Sequence, residues 1–318
     1  MKDLAFASPL AHHFRAYIAL RRSLGFELRS QAHILQKFDR VLQQELSKPG
    51  PVTPTVIESF LRSLDKLQPL TRRHQLSTVR QFLRYVRQFE PQTYIPDRLY
   101  EPAGSTPHVP HIYTDEEIRA VLHQALLYPL RPAQSRGLTY HTLIAFLYAT
   151  GLRISEALLL KLGDIDWQQN LLWIRRTKFH KARLVPMSPS TCDHLKRFLI
   201  DRAGKGHATG AEAPLFVNAK GTRLSYSTAL HSFIRIAARA GVRRLNEANP
   251  PRIHDLRHTA AVRRLYLWYQ EGKNVQALLP VLTTYLGHSS VSSTQVYVTA
   301  TAELLTEANR RFEQHFPL

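Results

Sequence analysis

Three stretches of this 318-residue chain place ionisable side chains at spacings that could do chemistry. In PPRIHDLRHTAA (250–261), His254 and Arg257 stand three residues apart, so near a helix start they can share a face while Leu256 turns inward. An imidazole beside an unpaired guanidinium suits an anionic oxygen centre. His254 and His258 also have the i, i+4 spacing of zinc ligands, with Asp255 where a zinc protease carries its catalytic Glu. Asp is short for that base role, no third ligand is marked, and Arg257 would put a cation beside the metal, so zinc is the weaker reading. A capped helix with incidental histidines is the plain alternative. In ATGLRISEALLL (149–160), Arg153 follows a Gly turn between two apolar helices, where a long cation is unexpected unless it is paired or serves a site. Glu156, three residues on, could hold it, and an ordinary ion pair is the competing explanation. LGHSSVSSTQVY (286–297) runs from a Gly-His turn through small and hydroxyl residues to Tyr297, nine residues after His288.

These stretches need elements to hold them. YEPAGSTPHVPH (100–111) has Pro102, Gly104, Pro107 and Pro110, which forbid a continuous helix, and marks a linker between residues 1–99 and 112–318. Directly after it, Thr114 as N-cap, Glu117 three residues on, and Tyr113 with Ile118 as a staple predict the start of a helix. The first unit reads as helical throughout. Thr53 and Pro54 predict one helix start. Over 72–89, Leu76, Val79, Phe82, Leu83, Val86 and Phe89 fall on one arc, with Arg73, Arg80, Arg84 and Arg87 opposite. That basic face is either solvated or a surface for a polyanion.

The second unit reads as mixed. HTLIAFLYAT predicts a buried helix ended by Gly151, with another after it. NLLWIRRTKFHKARLVPM predicts two strands, roughly 170–177 and 182–187, joined by a basic turn that carries Lys178 at its tip. A mobile ammonium there can reach a ligand, although a solvated turn is the commoner meaning of such a lysine. From Ser225 onward the pattern returns to helix. AGKGHATGAEAP (203–214) lacks the Gly-Lys-Ser/Thr ending of a phosphate loop and reads as a flexible surface loop. The fold class expected is mainly α with a small antiparallel β-sheet.

Lys and Arg number 43 against 24 acidic residues, a net charge of +19. Residues 1–100 hold 16 basic and 8 acidic side chains and the remainder 27 and 16, so the surplus is no basic tail. A charge shared by both units suits a polyanion lying along the whole molecule, nucleic acid being the commonest. No apolar run approaches a membrane span, and MKDLAFASPLAHHF does not read as a secretion signal. The single Cys192 rules out an internal disulfide and fits a reducing interior such as the cytoplasm.

Taken in order, ATGLRISEALLLKLGDIDW, TKFHKARLVPM, HDLRHT and LGHSSVSSTQVY resemble the motif series of the tyrosine recombinases, the family of phage integrases, Xer-type recombinases and mobile-element enzymes. The resemblance covers about residues 112–314, and the first unit matches that family's helical, SAM-like core-binding domain in size, position and basicity. It implies that Arg153 and Arg257 are catalytic arginines, Lys178 the hairpin lysine, and His254 and His288 the two histidines. Tyr297 would be the nucleophile, Glu156 an acidic support, and Arg73, Arg80, Arg84 and Arg87 candidates for contacting DNA. The segment from His254 to His288 looks longer than in compact Xer-type members, which leans toward a mobile-element enzyme. No further domain precedes the first unit, so arm-type DNA sites are not expected.

The implied chemistry is phosphoryl transfer with no metal and no cofactor. A tyrosine hydroxyl titrates near 10 and needs help to attack, while the phosphodiester gains charge in the transition state. Arg153 and Arg257 can stabilise that charge with forked donors. His254 is the candidate to take the tyrosine proton, His288 to donate to a phosphate oxygen, and Lys178 to protonate the departing 5′ oxygen. A covalent 3′-phosphotyrosine then retains the bond energy for religation. Leu304, Leu305, Ala308, Phe312 and Phe316 suggest a tail helix, packed either on its own domain or, as the family implies, on a neighbour in a homo-tetramer holding two duplexes. Free protein would be monomeric or dimeric, accessory proteins would be possible partners, and the place of action would be the cytoplasmic nucleoid. A type IB topoisomerase and a DNA-binding protein without catalysis are the competing classes.

Overall fold

The computed structural model describes residues 5–97, 110–128, 136–175, 182–243, 250–288, 290–295 and 297. The chain forms two compact units, Met1–His108 and Val109–Leu318. Among the described residues no helix is long and apolar enough to cross a membrane.

The first unit contains α1 (Ala11–Ser23), α2 (Arg29–Glu45), α3 (Pro54–Ser63) and α4 (Pro69–Val86). Its core is aromatic. Phe14 stacks on Phe82 with ring centroids 4.0 Å apart, and Phe38 stands edge-on to Phe60 at 5.2 Å. Such pairs contribute about 0.5–1.5 kcal/mol beyond the area they bury. Pro54 opens α3 as expected, but the Thr53 side chain makes no capping hydrogen bond.

Two expectations for α4 are corrected. The helix runs from Pro69 to Val86, so Phe89 lies beyond its end and is 56% exposed instead of joining the buried arc. Arg80 does not point outward with the other arginines. It follows Leu76 by four residues, which sets it at the edge of the apolar arc, and it is buried with Nε donating to Pro96 O and Nη2 to Asp97 O, both at 3.0 Å. A long apolar stem lies along the core while its fork meets main-chain carbonyls. Arg73, Arg84 and Arg87 are exposed.

The second unit opens with the predicted capping box on α5 (Asp115–Leu126): Glu117 N donates to Thr114 Oγ1 at 3.2 Å, and Thr114 N to Glu117 Oε2 at 2.9 Å. Tyr113 and Ile118 are both buried. α6 (Gly137–Thr150) is apolar on nearly every side and forms the unit's centre, packing on α5, α8 (Pro189–Gly204), α9 (Tyr226–Arg239) and α10 (Asp255–Gln270). Between α6 and α8 come α7 (Ile154–Leu159), a 3-10 turn over Leu162–Asp164, and an antiparallel sheet of β1 (Ile165–Asp166), β2 (Leu171–Ile174) and β3 (Arg183–Pro186) in that order. Leu172 pairs with Val185 at its centre. The two-residue β1 carries too short a pattern to be read from sequence, and the strands are shorter than expected. The turn bearing Lys178 lies outside the described residues.

Residues 203–214 are also more tied down than a flexible loop. Arg202, buried on α8, donates to Ala208 O and Pro214 O, and Gly163 N donates to Ala211 O at 2.8 Å. After α10, α11 (Val275–Leu286) and the single turn α12 (Ser292–Gln295) complete the described elements. Leu265 of α10, Leu279 and Leu282 of α11, and Tyr297 share one apolar cluster. The proposed tail helix, from Leu304 to Phe316, lies outside the described residues.

Candidate active site

Two left-handed glycines frame the site. Gly151 ends α6 at φ +61°, and Gly287 ends α11 at φ +67°. L side chains resist that conformation, so glycine is the residue that lets both helices stop and turn inward at this point.

Arg153, two residues after Gly151, caps α7. Its main-chain N donates to Glu156 Oε2 at 3.1 Å, its Nη1 to Glu156 Oε1 at 2.9 Å and its Nη2 to Gly287 O at 3.0 Å. Glu156 is buried, so the ion pair read from the three-residue spacing exists, but it is not the whole arrangement. Arg183 of β3 reaches the same carboxylate with Nη1 at 3.1 Å and Nη2 at 2.8 Å, and its Nε donates to Tyr285 O at 2.8 Å. Burial alone would raise the Glu156 pKa. The Arg183 hydrogen bonds and charge, with Arg153 behind them, hold it below the ordinary value instead.

Arg257 is 2% exposed, the largest fully buried side chain described. Nη1 donates to Gly151 O at 2.8 Å and Nη2 to Leu286 O at 2.5 Å, so this one guanidinium ties the ends of α6 and α11 together from α10. Desolvation first, then the charge of Arg153, lowers its pKa to about 10, which leaves it cationic at neutral pH. α10 is itself anchored at its start. Buried Asp255 accepts from Arg252 N at 2.9 Å and Arg252 Nη2 at 3.2 Å, and Tyr113 N donates to Thr259 Oγ1 at 3.0 Å.

Two histidines lie against the tyrosine ring and a third against one of them. His254, at the exposed start of α10, stands edge-on to His258 at 5.0 Å, and His258 meets the Tyr297 ring at 5.3 Å. His288 lies 6.0 Å from the same ring. Its Nδ1 is 2.8 Å from Thr294 Oγ1, which is 2.9 Å from the Thr283 hydroxyl. Thr294 is fully buried, and this hydroxyl pair fixes the His288 ring through its Nδ1. Desolvation, then Arg257 and Arg153, pushes His288 down to about 4, so it is neutral at pH 7. Tyr297 is 3% exposed; desolvation raises its pKa, while the charge and hydrogen bond of Arg257 work the other way.

The structure thus brings Arg153, Glu156, His254, Arg257, His288 and Tyr297 to one place, while Lys178 lies outside the described residues. The first-unit arginines belong to a separate compact unit. Sequence reasoning missed Arg183, Thr294 and the place of His258. A cation on a short strand and a threonine in a run of small residues carry no local signal, and His258 surfaced only as half of a zinc pair. Among the described residues, no group of three or more His, Cys, Asp or Glu side chains is arranged to hold a metal ion.

Residues 113–303, more than half the chain, match the phage integrase family. The chain belongs to that family. It is a site-specific DNA recombinase of the tyrosine type. The recombinase is 36% identical to an integrase/recombinase, y4rB, of Sinorhizobium fredii, over 94% of this chain and 96% of that one. It is 26% identical to the tyrosine recombinase XerD of Bifidobacterium longum, over 94% of each. Among solved structures it is similar to the Tn1549 transposon integrase in complex with transposon right end DNA, with a TM-score of 0.66, 17% identity, and 96% of this chain and 99% of that one covered. At that identity the likeness is one of fold.

Proposed function

We propose that this recombinase cuts and rejoins duplex DNA with Tyr297 as nucleophile, through a 3′-phosphotyrosine. The observation that carries this reading is the seat of Tyr297: its hydroxyl bonds to Arg257 of the same chain, and its ring lies 6.0 Å from that of His288. Arg257, bonded to that hydroxyl, and Arg153, whose charge also acts on it, would supply the charge that a metalloenzyme takes from divalent ions. His288, oriented through Nδ1, presents its other nitrogen to a phosphate oxygen. The proton leaving Tyr297 ends on His254, and Lys178 protonates the 5′ oxygen. Glu156 and Arg183 touch no phosphate in this scheme and hold Arg153 in place.

The seat of Tyr297 in its own chain supports cleavage in cis. A homo-tetramer on two duplexes, action on the nucleoid in the cytoplasm, and integration or excision of a mobile element complete the proposal. Arg73, Arg84 and Arg87 contact the DNA backbone from the first unit. A nicked half-site duplex from the DNA flanking the gene, incubated with the full chain and resolved on a denaturing gel, tests the chemistry. A covalent adduct with the parent and none with Tyr297→Phe is the expected result. An adduct persisting with Tyr297→Phe would move the nucleophile elsewhere, and binding with no adduct at all would favour a protein without catalysis. Relaxation of plasmids lacking any specific site by a monomer would instead indicate a topoisomerase.

A further inference from the structure

His258 is the one imidazole in the site for which no role has been derived. It sits on α10 one turn after His254, and its ring meets both the His254 ring, at 5.0 Å and 89°, and the Tyr297 ring, at 5.3 Å and 60°. Of the two histidines ring-packed on the tyrosine, it is the nearer, His288 being at 6.0 Å. Its Nδ1 is buried and has no hydrogen-bond partner. A buried ring nitrogen without a partner is destabilising, and this one lies beside the Tyr297 ring.

We propose that His258 takes the phenolic proton of Tyr297 and passes a proton on to His254. The proposal rests on Tyr297 being the nucleophile and specifies the route to the acceptor named above. As the tyrosine oxygen bonds to phosphorus, its O–H bond breaks and the proton goes to the bare nitrogen of His258. The opposite nitrogen of that ring releases its proton to His254, whose exposed side meets solvent. The bond from phosphorus to the 5′ oxygen breaks, and that oxygen takes a proton from Lys178. Religation reverses each transfer, so nothing is consumed.

A neutral imidazole carries one N–H and one bare nitrogen, so a single ring can accept on one side and donate on the other. His258 is held in that neutral form: burial first, then His254, Arg252 and Arg257 lower its pKa to about 4 against the opposing pull of Asp255. His254 is lowered in the same direction, by desolvation and then Arg257. His288 is differently placed for this task, because its Nδ1 is already engaged by Thr294.

The test is single-turnover cleavage by the full chain of the flanking-DNA half-site duplex with sulfur in place of the bridging 5′ oxygen. A thiolate leaves without a proton from Lys178, so the rate reports activation of Tyr297. His258→Phe keeps a ring against Tyr297 and removes both nitrogens. At pH 7 its cleavage is expected to fall about 100-fold, with the deficit shrinking as pH rises toward unaided tyrosine ionisation. Free imidazole is expected to restore cleavage by His258→Ala, which covers the case in which His258→Phe fails to fold. A His258→Phe rate and pH profile equal to the parent would overturn the proposal. So would a DNA-binding His258→Ala that imidazole does not rescue. An adduct formed by Tyr297→Phe would overturn the nucleophile assignment instead, a separate readout of the same gel.

Discussion

Glu156 takes both terminal nitrogens of Arg183, at 3.1 and 2.8 Å, while Arg153 donates to it at 2.9 Å. One carboxylate therefore joins β3, the strand that follows Lys178 in the sequence, to α7 and, through Arg183 Nε on Tyr285 O, to the end of α11 just before His288. The Arg183 and Glu156 side chains are only 8% and 3% exposed. Removing one charge strands its partners in a poorly solvated place. Glu156→Gln is expected to destabilise the second unit by about 3 kcal/mol, read by urea unfolding. Arg183→Lys keeps the charge but loses the fork, and a smaller loss of stability with a larger loss of cleavage is expected.

Stability is expected to fall in two stages as pH drops. The unfolded histidines protonate near 6.5, whereas His254, His258 and His288 stay neutral in the fold down to about 4. A lowered histidine pKa means that the unfolded chain binds the extra protons first, so stability declines from about pH 6.5 toward 4. Glu156 adds the second stage. Its folded pKa lies below the ordinary carboxylate value, so its contribution is intact above that ordinary value and is lost as pH falls through the folded one. Urea midpoints at a series of pH values from 7.5 to about 3.5 check both, and Glu156→Gln should remove the second stage.

Gly287→Ala is expected to damage the site without replacing an ionisable group. The backbone there has φ +67°, and an added Cβ would stand 2.7 Å from Arg183 Nη1. The left-handed conformation costs an L-residue about 1 kcal/mol or more, and the clash pushes Arg183 off Glu156. A thermal melt should show the first effect, and cleavage lowered beyond what stability explains should show the second.

The arginines of α4 are expected to separate into two groups. Arg84→Ala and Arg87→Ala remove exposed cations and should each flatten the plot of log binding constant against log salt by about 0.9 if they meet a phosphate. Arg80→Ala instead removes donors to the Pro96 and Asp97 carbonyls. It should lower the stability of the first unit by about 2 kcal/mol and leave the salt slope unchanged.

The sequence carried those parts of the site whose meaning is local. Arg153 and Glu156 sit three residues apart and do pair, and the Thr114 capping box and the Gly151 stop follow from short-range rules. Contacts that bridge distant segments were not legible. Arg183 meets Glu156 across 27 positions and Tyr285 across 102, and no periodicity records such a meeting. Arg80 departs from the outward basic face because a helical arc has edges, and a long side chain at an edge can turn either way. The run from Ser289 to Thr294 reads in the sequence only as small and hydroxyl residues and Val. In the fold, Ser292–Gln295 form a helical turn, and buried Thr294 braces His288.

Tyr297 is 3% exposed, whereas Tyr226 on the outside of the same unit is 53% exposed. For the cell this is a matter of genome safety. With Tyr297 as the proposed nucleophile, an idle molecule colliding with DNA would present none at its surface, and chance encounters would leave no nicks. Breakage would then be reserved for DNA held long enough to reach the tyrosine in its seat, and the same burial should spare Tyr297 from surface-directed nitration or iodination while Tyr226 reacts.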